Sequence, residues 1–146
     1  MKLELIIFVG LQGSGKTTWY REHFGATHVH VSKDLMPNAR NRDRRQQQQI
    51  EEALAGGRSV VVDNTNPSLE SRAPLIALGH RHRARVIAIY FEAHVPTSLS
   101  RNRTREGKAR VPEVAIFRTK KQLVPPSLEE GFDEVRIIPA PVTPRQ

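Results

Sequence analysis

Short, wholly apolar runs alternate along this chain with longer stretches that carry helical spacing. Leu3 to Val9 (LELIIFV) leaves no room for a polar face, the pattern of a central parallel strand covered on both sides. His28 to Ser32, Ser59 to Asp63 (SVVVD), Arg85 to Phe91 (RVIAIYF) and Asp133 to Ile138 read as four further strands. Between them, helices are expected at Lys16 to about His23, at Gln46 to Ala55 ahead of Gly56-Gly57, and at Pro67 to His82. Asn66 and Ser68 are both candidate starters of the last of these, and Pro74 should sit in an early turn or kink it. Pro96 to Arg105 and Pro112 to Gln122 complete the helices, with a basic, glycine-containing loop at Glu106 to Arg110. Met36 to Arg45 reads as polar and irregular, and the tail PAPVTPRQ as frayed.

Strands separated by crossover-length helical segments predict an α/β fold: about five parallel strands with helices on both faces. At 146 residues the chain reads as one domain, residues 1–146. No apolar stretch reaches the roughly 20 residues of a bilayer span, and LELIIFV runs into a glycine loop without a small-residue cleavage site. Cysteine is absent, which removes disulfides and thiolate metal sites. A cytoplasmic location is the expectation.

Gly10-Leu-Gln-Gly-Ser-Gly15-Lys16-Thr17 fits G-x-x-x-x-G-K-[ST] at every fixed position, after an expected strand and at the start of an expected helix. Such glycines let successive N–H groups converge on phosphate oxygens, and the helix adds its positive end. The expected nucleotide-binding set is Gly10, Leu11, Gln12, Gly13, Ser14, Gly15, Lys16, Thr17 and Thr18. Lys16 should reach the β- and γ-phosphates of ATP or another NTP, and Thr17 should offer its hydroxyl to Mg²⁺. The base-reading N-K-x-D of a GTPase does not occur, and the chain is short for a large ATPase. A P-loop kinase fold with a basic lid, acting on a bound hydroxyl, accounts best for the loop.

Two acids fall just past expected strand ends, Asp34 in HVSKD and Asp63 in SVVVDNTNP. Ligands of open parallel sheets bind beyond those ends, so both should face the phosphate loop. Asp34 is the better candidate for general base toward an acceptor hydroxyl, and Asp63 for holding Mg²⁺ or its water. Arg101, Arg103 and Arg105 lie in an expected lid at about 101–112, from which guanidinium groups could close on the donor phosphates. On a helix Arg101 and Arg105 share a face and Arg103 points elsewhere. The six histidines form no convincing metal set; His28 and His30 should share a strand face, while His80 and His82 are expected in a loop. A net charge of +8, with arginine clusters at residues 40–45 and 101–105, points to polyanionic partners.

These segments resemble the kinase domains of polynucleotide 5′-hydroxyl kinases. GLQGSGKTTW, HVHVSKD, RSVVVDNTNPSLESR and KKQLVPPSLEEGFDEVRIIP carry the likeness through almost the whole chain, the D-N-T-N-P and P-S-L-E-E-G-F segments most specifically. The resemblance implies ATP-dependent, Mg²⁺-assisted phosphorylation of RNA or DNA 5′-OH ends. It makes Lys16 and Thr17 the donor and Mg²⁺ residues, Asp34 the base and Arg105 the lid arginine, with Asp63 and Asn64 lining the site. Some members bind the acceptor's 3′-side phosphate with an arginine three residues after the base; here that position is Pro37, and Arg40, Arg42 or Arg44 are the substitutes to consider, with Arg103 also on the acceptor side. A small-molecule kinase of the same superfamily and a non-catalytic RNA-binding protein are the alternatives. A homo-oligomer and separate phosphatase or ligase partners stay open.

Overall fold

A computed structural model describes residues 2–36, 40–107 and 110–140. Five parallel strands form one sheet in the order β2-β3-β1-β4-β5: β1 (Glu4–Val9), β2 (Val29–Val31), β3 (Val60–Val62), β4 (Arg85–Phe91) and β5 (Glu134–Ile138). The central strands β3, β1 and β4 are apolar on both faces because both are covered. Leu5, Ile7, Val9, Val60, Val62 and Val86 face α2 (Arg42–Ala55) and α3 (Leu69–Arg81), meeting Ile50, Leu54, Leu75 and Ile76. Ile6, Phe8, Val61, Ile87, Ile89 and Phe91 form the opposite layer, packed on Trp19, Tyr20 and Phe24 in and after α1 (Lys16–His23). Fully burying one such side chain is worth about 1.5–3 kcal/mol, so this double layer holds most of the fold's favourable free energy. Two more helices, α4 (Val95–Arg103) and α5 (Glu113–Gln122), pack on one another beside the sheet. No helix among the described residues is long and apolar enough to cross a membrane.

Two expectations shift, and an open alternative at the start of α3 is settled. Helix α2 begins at Arg42, not Gln46, because Arg and Gln are good helix formers and polarity alone does not mark a loop; Asn41, at φ 62°, makes the left-handed step into it. Ser68, not Asn66, starts α3, through a reciprocal capping box with Ser71. Pro74 lies in the second turn of α3 on its exposed side, as does Glu70, whose carbonyl it leaves without an N–H partner. His80 therefore belongs to α3 and His82 caps it, instead of lying in a loop. The last six residues of the proline-rich tail, Pro37, and Lys108 and Ala109 of the expected basic lid loop lie outside the described residues.

One polar cluster inside the core ties the chain's distant parts together. The Arg72 side chain on α3 is completely buried and forms a two-bonded pair with Glu130, at 2.8 and 2.9 Å. Its Nη1 also donates to the carbonyls of Asn66 (3.0 Å) and Val124 (2.9 Å). Removing one partner of such a pair strands a buried charge. Glu130→Ala should lower the unfolding free energy by about 3–5 kcal/mol, whereas Glu129→Ala, at the exposed neighbouring residue, should stay within about 0.5 kcal/mol of the parent. Urea denaturation of the three proteins compares them, and equal midpoints would show that Arg72 is held without its carboxylate.

Candidate active site

The loop from Gly10 to Gly15 leaves the buried end of β1 and turns back into α1. Gly13 and Gly15 have φ of 73° and 90°, which only glycine adopts at little cost. A Cβ at Gly13 would stand 2.8 Å from the Ser98 carbonyl oxygen of α4, and one at Gly15 would stand 2.9 Å from Nη1 of Arg101. The loop is thus pressed against the arginine-bearing helix. Arg101 donates from Nη1 to the Gly13 carbonyl at 3.3 Å.

Lys16 occupies the first turn of α1 and is buried, with its ammonium folded onto the Gly10 (3.0 Å) and Leu11 (2.6 Å) carbonyls. Burial lowers its pKa from the ordinary 10.5 to about 8; the charge of Arg105 acts in the same sense, and Asp63 and Asp34 oppose it. That pattern places Arg105 and Asp34, from the α4–α5 connection and the turn after β2, within electrostatic reach of one lysine. No acid sits in the first turn of α1, so the positive end of the helix is not offset there. Ser14, Gly15, Thr18, Trp19, Arg101 and Arg105, with Glu92, His94 and Pro139, line an open cavity of about 500 Å³.

Thr17 donates its hydroxyl to Asp63 Oδ2 at 2.8 Å, and Asp63 is buried at the end of β3. A hydroxyl beside a carboxylate, both oxygen donors, suits Mg²⁺ held jointly with phosphate and water. No cluster of three or more His, Asp or Glu side chains converges among the described residues, so a metal bound by protein groups alone finds no site there.

Asp34 lies in a 3₁₀ turn, Lys33–Leu35, whose first backbone groups are held by neighbours: Ser32 Oγ accepts from the Asp34 N–H at 3.3 Å. Its carboxylate is exposed and has no hydrogen-bond partner among the described residues. Asn64 accepts from the Lys33 N–H at 2.9 Å and donates to the buried Gln46. The Asn64 amide therefore ties the turn that carries Asp34 to Gln46 of α2.

The remaining arginines separate. Arg103 is turned away from the loop and pairs with Glu113 at 2.7 Å. Arg40 is exposed just before α2, next to a depression of about 600 Å³ lined by Lys33, Asn41, Arg42, Asp43 and Arg44.

Four contributors escape a reading of the sequence. His30 Nε2 meets Asp63 Oδ2 at 2.8 Å, and Gln46 supports Asn64. Asn102, fully buried, clips the ends of the α4–α5 connection by donating to the Val111 carbonyl (2.7 Å) and accepting its N–H (2.9 Å). Asn66 donates to the Phe8 carbonyl at 2.8 Å. Only His30 carried a signal, because it shares a strand with the segment leading to Asp34; the others are polar residues whose burial depends on the packed fold.

The bifunctional polynucleotide phosphatase/kinase of Schizosaccharomyces pombe is 28% identical to this chain over 140 residues, which cover 93% of the chain and 33% of that protein. The chain spans about a third of the length of the curated relatives it matches. A chain of the Pnkp1/Rnl/Hen1 RNA repair complex superposes with a TM-score of 0.71 at 25% identity, covering 84% of this chain and 44% of its own length. Chaetomium thermophilum Kti12 in complex with ADP-AlF3 shares the fold, with a TM-score of 0.74 at 17% identity over 92% of this chain and 88% of its own. The family profile described as an AAA domain matches residues 5–126, which takes in the phosphate loop, both strand-end acids and the arginines of α4; the chain belongs to that family.

Proposed function

We propose that this chain is a kinase that moves the γ-phosphate of ATP to the 5′-hydroxyl of an RNA or DNA end. The observation that carries the reading is Asp34: an exposed carboxylate without a partner among the described residues, on a turn fixed by Asn64, close enough to influence the ammonium of the phosphate loop. A carboxylate used only to hold the fold would be bonded. One left open beside a donor-phosphate site is available to accept a proton.

In the proposed reaction the acceptor O5′ attacks the γ-phosphorus in line, the bond from phosphorus to the β,γ-bridging oxygen breaks, and the hydroxyl proton passes to Asp34. Lys16, Arg101 and Arg105 face the phosphates and offset the charge that builds on the transferring group and on departing ADP. Mg²⁺ bound with the nucleotide between Thr17 and Asp63 would neutralise part of the same charge. The names of the S. pombe relative and of the RNA repair complex support a polynucleotide acceptor. So does the surface beside Asp34, where Arg42, Arg44 and Arg45 crowd the start of α2, the end of a helix at which positive charge is unfavourable. Phosphates of an acceptor strand would offset that cost.

Three outcomes test the proposal. Asp34→Asn should lower transfer from γ-labelled ATP to 5′-OH oligonucleotides by at least about a hundredfold. It should leave ADP affinity near that of the parent, and a variant that still transfers at the parental rate would remove Asp34 from the role. For single-stranded acceptors the logarithm of the apparent affinity should fall against the logarithm of salt concentration with a slope of roughly −0.7 per phosphate contacted. A flat salt response with label on nucleosides or sugars alone would instead favour a small-molecule kinase.

The third outcome concerns Lys16. Bound phosphates favour its protonated form and so raise its pKa above the value of about 8 in the free loop. Nucleotide affinity should be complete below that pH and decline above it, by roughly tenfold between pH 7 and 9. The same displacement from the unfolded value makes the burial of Lys16 most costly to stability below pH 8, a cost relieved as the pH rises toward 10.5. Calorimetric titration with ADP at pH 7, 8 and 9 reads the affinity; equal affinities would mean that the ammonium is not at the phosphates.

A further inference from the structure

His30 stands on β2, and its ring lies flat on that of Tyr20 from α1, with centroids 4.1 Å apart and planes inclined by 15°. Tyr20 is itself anchored, its hydroxyl donating to the His28 carbonyl at 2.6 Å. The far edge of the imidazole reaches Asp63, where Nε2 and Oδ2 are 2.8 Å apart. Thr17 donates to that same oxygen, also at 2.8 Å. Two donors from different elements, α1 and β2, therefore converge on one oxygen of a carboxylate at the tip of β3. Oδ1 is left without a protein partner among the described residues.

We infer that His30 is the positioning residue of Asp63: its Nε2–H and the Thr17 hydroxyl together fix the plane of the carboxylate, so that Oδ1 faces the Mg²⁺–phosphate side of the loop. A single donor lets a carboxylate turn about its Cβ–Cγ bond. Two donors on one oxygen cannot both be kept through such a turn, so the second donor removes the freedom that the first one leaves. The ring-on-ring contact with Tyr20 fixes the direction of the donor in turn, and the 20% exposure of the His30 side chain keeps the bond under partial cover. A histidine that served only to pack would use its ring alone. Here the ring packs while its polar edge is spent on the one buried acid of the site. Outer-shell donors of this kind typically contribute roughly 10- to 100-fold to metal affinity or activity.

The inference rests on the nucleotide and metal part of the proposed function and not on the identity of the acceptor. Its test is the gain in ADP affinity that Mg²⁺ confers, measured by calorimetry with Mg²⁺ and with EDTA. His30→Phe keeps a ring against Tyr20 but has no N–H to offer. His30→Gln places an amide N–H at a similar reach without the ring. The Phe variant should lose about tenfold of the Mg²⁺-dependent gain, with metal-free ADP affinity preserved, and the Gln variant should recover most of it. An unchanged gain in the Phe variant, or equal losses in both, overturns the assignment. The unmodified protein supplies a check that needs no variant: the imidazole ¹⁵N spectrum should show His30 protonated on Nε2, and the tautomer protonated on Nδ1 alone overturns the assignment as well. If His30→Phe behaves as expected while no polynucleotide end is labelled, the acceptor reading fails and the positioning role stands. If 5′-OH ends are labelled and the Mg²⁺ gain ignores His30, the reverse holds.

Discussion

The buried guanidinium of Arg72 is the constraint around which the site is assembled. Its partners come from the loop after β3 (Asn66) and, more than fifty residues further along, from the segment after α5 (Val124) and the turn before β5 (Glu130). Asn66, at a left-handed φ of 42°, passes the restraint on by donating to the Phe8 carbonyl of β1, and the neighbouring Thr65 carbonyl accepts the Gly10 N–H at 3.0 Å. The exit of β1, where the phosphate loop begins, is thus fixed to the loop that follows Asp63. A buried ion pair is a weak source of net stability, because desolvation offsets most of its attraction. Its effect here is on geometry: the spacing between Gly10 and Asp63 is set by hydrogen bonds of defined direction, which apolar packing would not provide.

Within that frame two aspartates of the same ordinary chemistry are made different by what surrounds them. Asp63 is buried and accepts from two side chains on one oxygen, so its direction is fixed. Asp34 is exposed on a turn whose backbone is fixed while its side chain is not. A rigid acid suits a metal or its water, which needs an oxygen at a constant place. A free acid beside solvent suits a proton acceptor that must meet an incoming hydroxyl. Asn64 serves this division, since its amide ties the turn under Asp34 to Gln46 of α2.

The order of strands and helices was legible in the sequence because β1, β3 and β4 are covered on both faces and so are written as unbroken apolar runs. The short strands were legible to within a residue: Val29 still donates to the Ser59 carbonyl and Asp63 to that of Val31, so the ladder reaches the ends the sequence suggested. The start of α2 was not, since Arg42 to Arg45 carry no apolar period and the residue that decides the boundary, Asn41, does so through its backbone angle. At the site, the loop glycines, Lys16, Thr17 and the strand-end acids could be found because their chemistry is tied to fixed spacings. Gln46 and Asn102 could not, because each is defined by a partner at least nine residues away that only packing brings near. The conspicuous D-N-T-N-P and P-S-L-E-E-G-F segments owe part of their character to that packing, as Asn66 and Glu130 are the residues that hold Arg72.

The two halves of the site are built on different physical terms. On the proposed donor side the loop conformation and the inward lysine are already arranged, with Asn102 closing the α4–α5 connection and Arg101 of α4 resting on the loop. Binding there costs little ordering, and little of the interaction with a phosphate chain is lost to rearrangement. On the proposed acceptor side, the described residues form a basic depression in which Lys33 is already paired with Asp43 and several arginines are exposed. Exposed charges attract a polyanion over several ångströms but read little of its sequence, because phosphate contacts position a strand without identifying its bases. A preformed grip on the nucleotide joined to an electrostatic, sequence-blind grip on the acceptor would suit the proposed action on the ends of many different strands. A kinase for one small hydroxyl compound would need the opposite balance, with an enclosed acceptor pocket and specific hydrogen bonds.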